Sequence, residues 1–475
     1  MKITLIYPKV SREKPLYTPE PMGLGYVAAY LKTKGYLNVA IKNSTFDDDV
    51  DIISDAAHSN IVGISATSFM MIHGRELASK IKAKNKDVKI VFGGVHPTVC
   101  PETTLEDKNI DIVCRGEGEL TFYELVITID EGKNLDNVKG ISYRQNDKII
   151  HNPDRVPIPD LDMLPYPDRN AMRQGALIKI YSRNYGKRGV LVFTGRGCPF
   201  SCTYCAAPML GGRHVRRRSP ENVIDEIKML KKQYKIKHVD FLDETFTFNK
   251  TWVLKFCDLL QREAIGISWA CFVHPNTADK EMFIKMKESG CKEVEIGVES
   301  GSPEILKELK RNYTPEDIKS LFSMLRKLKM KTRAFAMGGL PSESKETIRQ
   351  TEALIQEIKP DVTTLFLFIP IPGSELYQSA KEAGYVEDNM DWSDIEVIHR
   401  RHPPSKFLSR EELLEEAKMF NKRLYSYTRR NDVTVSSLIA TLVNMLKTYP
   451  VKRYPHIVME FFKYIIRIES VRKSV

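Results

Sequence analysis

The sequence predicts an α/β protein built from two strand–helix modules in tandem, followed by a helical region. Three observations carry this. Short β-rich runs alternate with helically spaced apolar residues through 1–145, and again through 186–393. A proline-rich connector, "NPDRVPIPDLDMLPYPDR" (152–169), separates the two series. From about Asp394 the strand-like alternation stops. At 475 residues the chain is longer than one core normally serves.

The strands of the first module are expected at "KITLIYP" (2–8), "NVAIKN" (38–43), "IVGISAT" (61–67), "VKIVFGG" (88–94) and "IDIVCRG" (110–116). Helical spacing marks "PMGLGYVAAYLKTKGY" (21–36), "IHGRELASKIKAKN" (72–85) and "GELTFYELVITIDEG" (118–132). Repeats of this kind make a doubly wound, Rossmann-like parallel sheet that binds ligands at the carboxyl ends of its strands. The connector region is taken as 146–185.

The second module has strands at "GVLVFTGRG" (189–197), "HVDFLDETF" (238–246), "ISWACFVHP" (267–275), "EVEIGVES" (293–300), "KTRAFAMGGL" (331–340) and "TTLFLFIPIPG" (363–373). Helical patterns such as 220–234 and 315–329 lie between them. Six βα units predict a partial (β/α)6 barrel of TIM type, since a full eight-unit barrel takes ~250 residues. The last region, 394–475, predicts helices at 409–430, 435–447 and 455–468.

Hydrophobic content of 42% and charged content of 28% are those of a soluble globular protein. No apolar run approaches the ~20 residues that span a bilayer. "MKITLIYPKV" lacks a small-residue cleavage site and reads as a strand, so a cytoplasmic protein is expected. The net charge is +11. From Asn421 onward, eleven basic residues stand against three acidic ones, so most of the excess sits in the tail. Two readings of the tail stay open: a helical cap on the barrel, or a peripheral surface for anionic lipid. No recognised nucleic-acid fold accompanies the charge, and no such partner is expected.

Eight cysteines are too few for a disulfide scaffold in a chain this long. Cys100, Cys114, Cys257, Cys271 and Cys291 are scattered in apolar segments and read as small core residues. Cys198, Cys202 and Cys205 are different, because "GCPFSCTYC" (197–205) gathers them in one turn at the carboxyl end of the first barrel strand. C-x3-C-x2-C suits three irons of a [4Fe–4S] cluster, leaving the fourth open to an external ligand. Zinc is the competing reading. It normally wants paired C-x2-C motifs or histidines at finger spacing, and His214 is the nearest histidine. A non-catalytic zinc-binding protein is therefore the alternative from another functional class.

C-x3-C-x2-C followed by βα repeats resembles the radical S-adenosylmethionine (SAM) superfamily. That resemblance implies that the open iron chelates the amino and carboxylate groups of SAM. One electron then cleaves a carbon–sulfur bond and releases a 5′-deoxyadenosyl radical. It implies SAM contacts for Tyr204 beside the third cysteine, for Asp243 and Glu244 in "DETF", and for Glu299 and Ser300 in "EIGVESGSPEIL" (295–306). "GGLPSES" (338–344) and "FLFIPIPGSELY" (366–377) resemble the fifth- and sixth-strand segments of the family. Many relatives carry an arginine near the third strand's end. Here "CFVHPN" offers His274, read as an ordinary strand-end histidine.

"GLGYVAAYLKTKGY", "VGISATS", "GGVHPT" and "RGEGELTFYEL", in this order, resemble the cobalamin-binding domain fused to one radical SAM subfamily, the class B methyltransferases. By that match Ser65, Thr67, Gly93, Gly94, His96, Gly116 and Glu117 line the corrinoid groove. D-x-H-x-x-G, the motif that brings a histidine to cobalt, is absent. The implied activity is methyl transfer to an unactivated carbon of a small-molecule or lipid substrate. It would use a [4Fe–4S] cluster, SAM, cobalamin and a one-electron reductant such as ferredoxin or flavodoxin. Cyclisation, rearrangement or oxidation of a lipid or tetrapyrrole with the same cofactors is the alternative outcome.

Overall fold

The computed structural model describes residues 1–10 and 20–427. The helices expected at 435–447 and 455–468, and most of the basic tail, lie outside the described residues.

β1 (Ile3–Tyr7), β2 (Val39–Asn43), β3 (Ile61–Ser65), β4 (Lys89–Gly93) and β5 (Ile112–Cys114) form a parallel sheet. β6 (Ile141–Gln145) and β7 (Lys148–His151) continue it as an antiparallel hairpin, giving the order β2-β1-β3-β4-β5-β6-β7. The strand order reverses at β1, and crossover helices cover the faces. The helices Met22–Thr33, Met71–Lys84 and Gly118–Asp130 stand where the apolar spacing put them. A further helix, Asp49–Ala57, grows from "FDDDV" because the Asp48 carboxylate caps it, accepting from Val50 N.

The sheet thus runs past 145 to His151, and the connector is a packed strap. Its prolines hold the chain extended, while Ile158, Leu161 and Leu164 bury in the first module's core. The strap ends in the helix Gln174–Tyr185, which packs beneath the next strand.

That strand, β8 (Gly189–Val192), opens the second module. β9 (Gly195–Arg196) and β10 (Arg216–Arg217) pair as a short antiparallel ribbon outside the main sheet. β11 (His238–Phe241), β12 (Ser268–Val273), β13 (Cys291–Glu299), β14 (Lys331–Gly338) and β15 (Val362–Leu367) then add in sequence order, all parallel. The result is a six-stranded partial barrel. One residue parity on each strand (Val190, Val239, Trp269, Val294, Ala334) enters the core beneath the helices, and the other faces the lumen. The helix Arg410–Tyr427 packs Leu413, Phe420 and Leu424 into the same core.

Buried charge holds the modules together. Arg169 of the strap donates through Nη1 to Glu20 (3.2 Å) and Gln174 (2.9 Å), and through Nη2 to the Leu191 carbonyl (3.0 Å) and Glu226 (2.8 Å). Glu226 also pairs with Arg218 at 2.6 Å. One guanidinium therefore ties the first module to the barrel. Charges held this far from water stabilise only as a complete set, because an orphaned partner keeps its desolvation cost. Arg169→Leu is expected to lower stability by about 3–5 kcal/mol, read as an earlier midpoint in denaturant unfolding. An unchanged midpoint would show that the network carries no net energy.

Candidate functional site

The cysteine motif occupies the excursion between β9 and β10, whose pairing (Arg196↔Arg216) closes the loop at its base. Gly197 has φ +95°, and a Cβ there would meet the His214 carbonyl at 2.4 Å, so only glycine allows the loop to double back. Cys198 N donates to the Gly212 carbonyl (3.1 Å) and Cys205 N to that of Cys202 (3.2 Å).

The three cysteines are half-buried. Arg311 Nη1 approaches Cys202 Sγ at 2.9 Å, and Ala207 N donates to Cys205 Sγ at 3.4 Å. Burial pushes the Cys205 thiol up to about 11 and raises Cys198, and the neighbouring cysteines add to both. Crowded thiols of this kind ionise when a positive centre joins them, and N–H donors already point at two of the sulfurs. Among the described residues no three His, Cys, Asp or Glu side chains gather closely enough to hold a single ion. The fit to a multi-iron group therefore rests on motif spacing, exposure and these donors.

The two acidic positions at the strand ends differ. Asp243 is buried and spent: it accepts from Thr194 N (2.7 Å), Gly195 N (3.2 Å) and Arg217 (3.3 Å), and also from the Thr194 hydroxyl. It staples the start of the cysteine loop to β11. Glu244 is exposed to a cavity, and partial desolvation by the surrounding protein, with Asp243 beside it, pushes its carboxyl up to about 7. Its charge is also felt at Cys198 and Cys205.

Glu299 ends β13 in a left-handed conformation (φ 59°), at a register shift against β14. That backbone conformation is costly for a non-glycine residue and is held by the surrounding structure. Its Oε1 accepts from Tyr204 Oη (2.9 Å) and Arg311 Nη2 (2.8 Å). Ser300 is turned inward and serves the backbone, bonded to Thr351 (3.0 Å) and accepting from Ser302 N (3.1 Å). His274 caps the next turn, accepting from Asn276 N, and stacks on Phe200 of the cysteine loop at 3.6 Å. Burial and Arg311 lower it to about 3, so it is neutral. It supports the loop from behind.

Between the modules lies a cavity of about 470 Å³, lined mostly by apolar groups. From the first module Ser65, Thr67, Gly93, Gly94, Gly116 and Glu117 reach it. The barrel contributes Gly195, Arg196, Gly197 and Glu244. A Cβ on Gly23 or Gly116 would meet nothing within 4 Å, so both glycines keep open a cradle that a flat cofactor would fill. His96 does not line it. It is 1% exposed, hydrogen-bonded to Ser68 (2.9 Å), and lowered to about 4 by burial and Arg75. Glu117 reaches the cavity wall, but it pairs with Arg216 (2.8 Å) and Arg196 (3.2 Å). Arg196 also grips Glu119 in a fork (2.6 and 3.3 Å) and lies over the Tyr26 ring.

Comparison with known proteins agrees with this geometry. The B12 binding domain model matches residues 8–126, and the Radical SAM superfamily model matches 192–355. An uncharacterized methyltransferase of Pyrococcus horikoshii is 33% identical over 390 residues, 80% of this chain and 83% of that protein.

The chain belongs to the radical SAM superfamily, in the branch that carries an N-terminal B12 binding domain.

The anaerobic magnesium-protoporphyrin IX monomethyl ester cyclase of Rubrivivax gelatinosus is 29% identical over 369 residues, 75% of this chain and 66% of that protein. Among solved structures, the radical SAM methyltransferase TsrM of Kitasatospora setae, with cobalamin and a [4Fe–4S] cluster bound, superposes with a TM-score of 0.73. It covers both chains fully at 17% identity, and shows the shared fold. No helix among the described residues is long and apolar enough to cross a membrane.

Two residues beside the cysteine loop carry no sequence signal of their own: Arg311, in the loop after Pro303–Glu308, and Arg217, beside Asp243. Asp243→Ala is expected to remove the carboxylate paired with Arg217 and to orphan two backbone N–H groups, costing about 3 kcal/mol in thermal unfolding. Asp243→Asn, which keeps an acceptor, is expected to cost less. Equal melting of both variants with the parent would remove the staple from the account.

Proposed function

We propose that this chain is a cobalamin-dependent radical SAM methyltransferase acting on an unactivated carbon of a small molecule. One observation carries the reading: a single cavity is walled by the strand ends of the B12-type sheet on one side and by the cysteine loop with Glu244 on the other. Cys198, Cys202 and Cys205 would hold the cluster, Glu244 and Glu299 would orient SAM, and Ser65, Thr67, Gly93, Gly94 and Gly116 would bed the corrinoid. When bound, these groups supply one-electron cleavage of a carbon–sulfur bond and a carrier for a methyl group.

The chain's own residues select, orient and exclude water. Glu244 would take the ammonium of SAM as a carboxylate. The apolar cavity wall keeps water from the reacting atoms. On the lumen face, Phe272 stacks on Phe335 at a ring distance of 6.0 Å, Phe366 leans against Phe335 at 5.6 Å, and Phe366 is 53% exposed. That shelf suits a planar or apolar substrate. All eight cysteines are free thiols, which fits a reducing, cytoplasmic compartment and a low-potential carrier such as ferredoxin or flavodoxin as electron donor.

Resemblance to the Rubrivivax gelatinosus cyclase supports a second reading, ring closure with the same cofactors. Product mass separates the two, since methylation adds one methylene. With the anaerobically reconstituted chain, a methyltransferase is expected to release S-adenosylhomocysteine and 5′-deoxyadenosine in equal amounts as product forms. An enzyme that never consumes the second SAM would contradict it. SAM affinity is expected to rise as pH passes upward through about 7, because Glu244 must lose its proton to bind a cation. Glu244→Gln should flatten that profile and weaken binding roughly tenfold or more.

A further inference from the structure

Arg311 is positioned as more than the counter-ion of Glu299. A guanidinium serving one carboxylate normally spans both oxygens with its fork. Here the fork is split: Nη2 goes to Glu299 Oε1 (2.8 Å), Nη1 to Cys202 Sγ (2.9 Å), and Nε to Tyr313 Oη (2.8 Å). Tyr313 is fixed in turn by the Gly297 carbonyl at 2.7 Å. Its ring and that of Tyr204 lie 5.1 and 6.0 Å from the guanidinium. Gly297 makes room for the arrangement, because a Cβ there would stand 2.6 Å from Arg311 Nη2 and 2.4 Å from Glu299 Oε1. The cation is buried, held at all three nitrogens, and aimed at one sulfur of the cysteine motif.

Resting on the reading that these cysteines carry a [4Fe–4S] cluster, we propose that Arg311 is a positioning residue that sets the cluster's reduction potential through its N–H bond to the Cys202 sulfur. Reduction moves one electron from a low-potential iron–sulfur or flavin carrier to the oxidised cluster; the carrier is oxidised by one electron and no bond forms or breaks. The cluster and its thiolates gain one negative charge. A buried positive donor at a ligand sulfur stabilises the more negative state more strongly, so it raises the potential towards the reach of the carrier. Glu299 shares the same guanidinium, which gives the cation a fixed address.

The test is an EPR-monitored redox titration of the full-length, anaerobically reconstituted protein with iron counted per chain. Arg311→Met is expected to keep its iron and to lower the reduced-to-oxidised ratio at a given potential at least about tenfold, a shift of about 59 mV for one electron. Arg311→Lys, which keeps the charge but loses the fork, is expected to fall between the two. If Arg311→Met loses its iron, Arg311→Lys and Tyr313→Phe carry the test, and both must titrate below the parent. Variants that keep iron and titrate with the parent overturn the inference and leave the proposed function standing. A parent protein that takes up no reducible cluster overturns both.

Discussion

Charge buried between two sheets fixes how this molecule is built. Glu117 and Glu119 of the first module are largely withdrawn from solvent, and Arg196 and Arg216 of the barrel meet them. Behind that seam Arg169 performs the same service for Glu20 and Glu226. Such pairs tolerate little rotation or slip, because a displaced partner leaves an unpaired charge in a low-dielectric interior. The modules are therefore locked in one orientation, and the cavity between them is a consequence of that lock. Arg196 lies two residues before Cys198, so the residue that grips the B12-type sheet also anchors the cysteine loop.

The site itself sorts its polar groups by neighbourhood. Asp243 and Ser300 are consumed in holding backbone, whereas Glu244 faces open space with a raised affinity for its proton. Glu299 sits between, strained at its backbone and bonded to both Tyr204 and Arg311. A carboxylate that can exchange partners and one that meets a cation directly are suited to a cationic cosubstrate. A carboxylate with every acceptor filled is suited to architecture.

Periodicity made most of the fold legible. The helices Pro220–Tyr234 and Pro315–Lys327 begin at proline after a Ser or Thr cap, and their spacing places them without help from tertiary structure. The hairpin β6–β7 was hidden because "ISYRQNDKIIH" pairs with itself at the edge of a parallel sheet, and nothing in the strand–helix rhythm foretells it. In the site, the spacing of Cys198, Cys202 and Cys205 alone singled out the loop that joins β9 to β10. His96 and Ser300 looked equally eligible by motif, yet each points into the protein. Side-chain direction at a strand end depends on the next helix, and one chain of letters does not encode it locally. Arg311 could not be read at all: it lies 109 positions from the sulfur it reaches.

The central claim is that the corrinoid and the cysteine loop share the cavity created by this seam. Gly23 lines that cavity from within the helix Met22–Thr33, and a side chain there would enter open space. The direct measurement is corrinoid and iron bound per chain after anaerobic reconstitution and gel filtration of Gly23→Trp. Loss of corrinoid with iron retained is the predicted result; corrinoid bound as fully as in the parent would contradict the account.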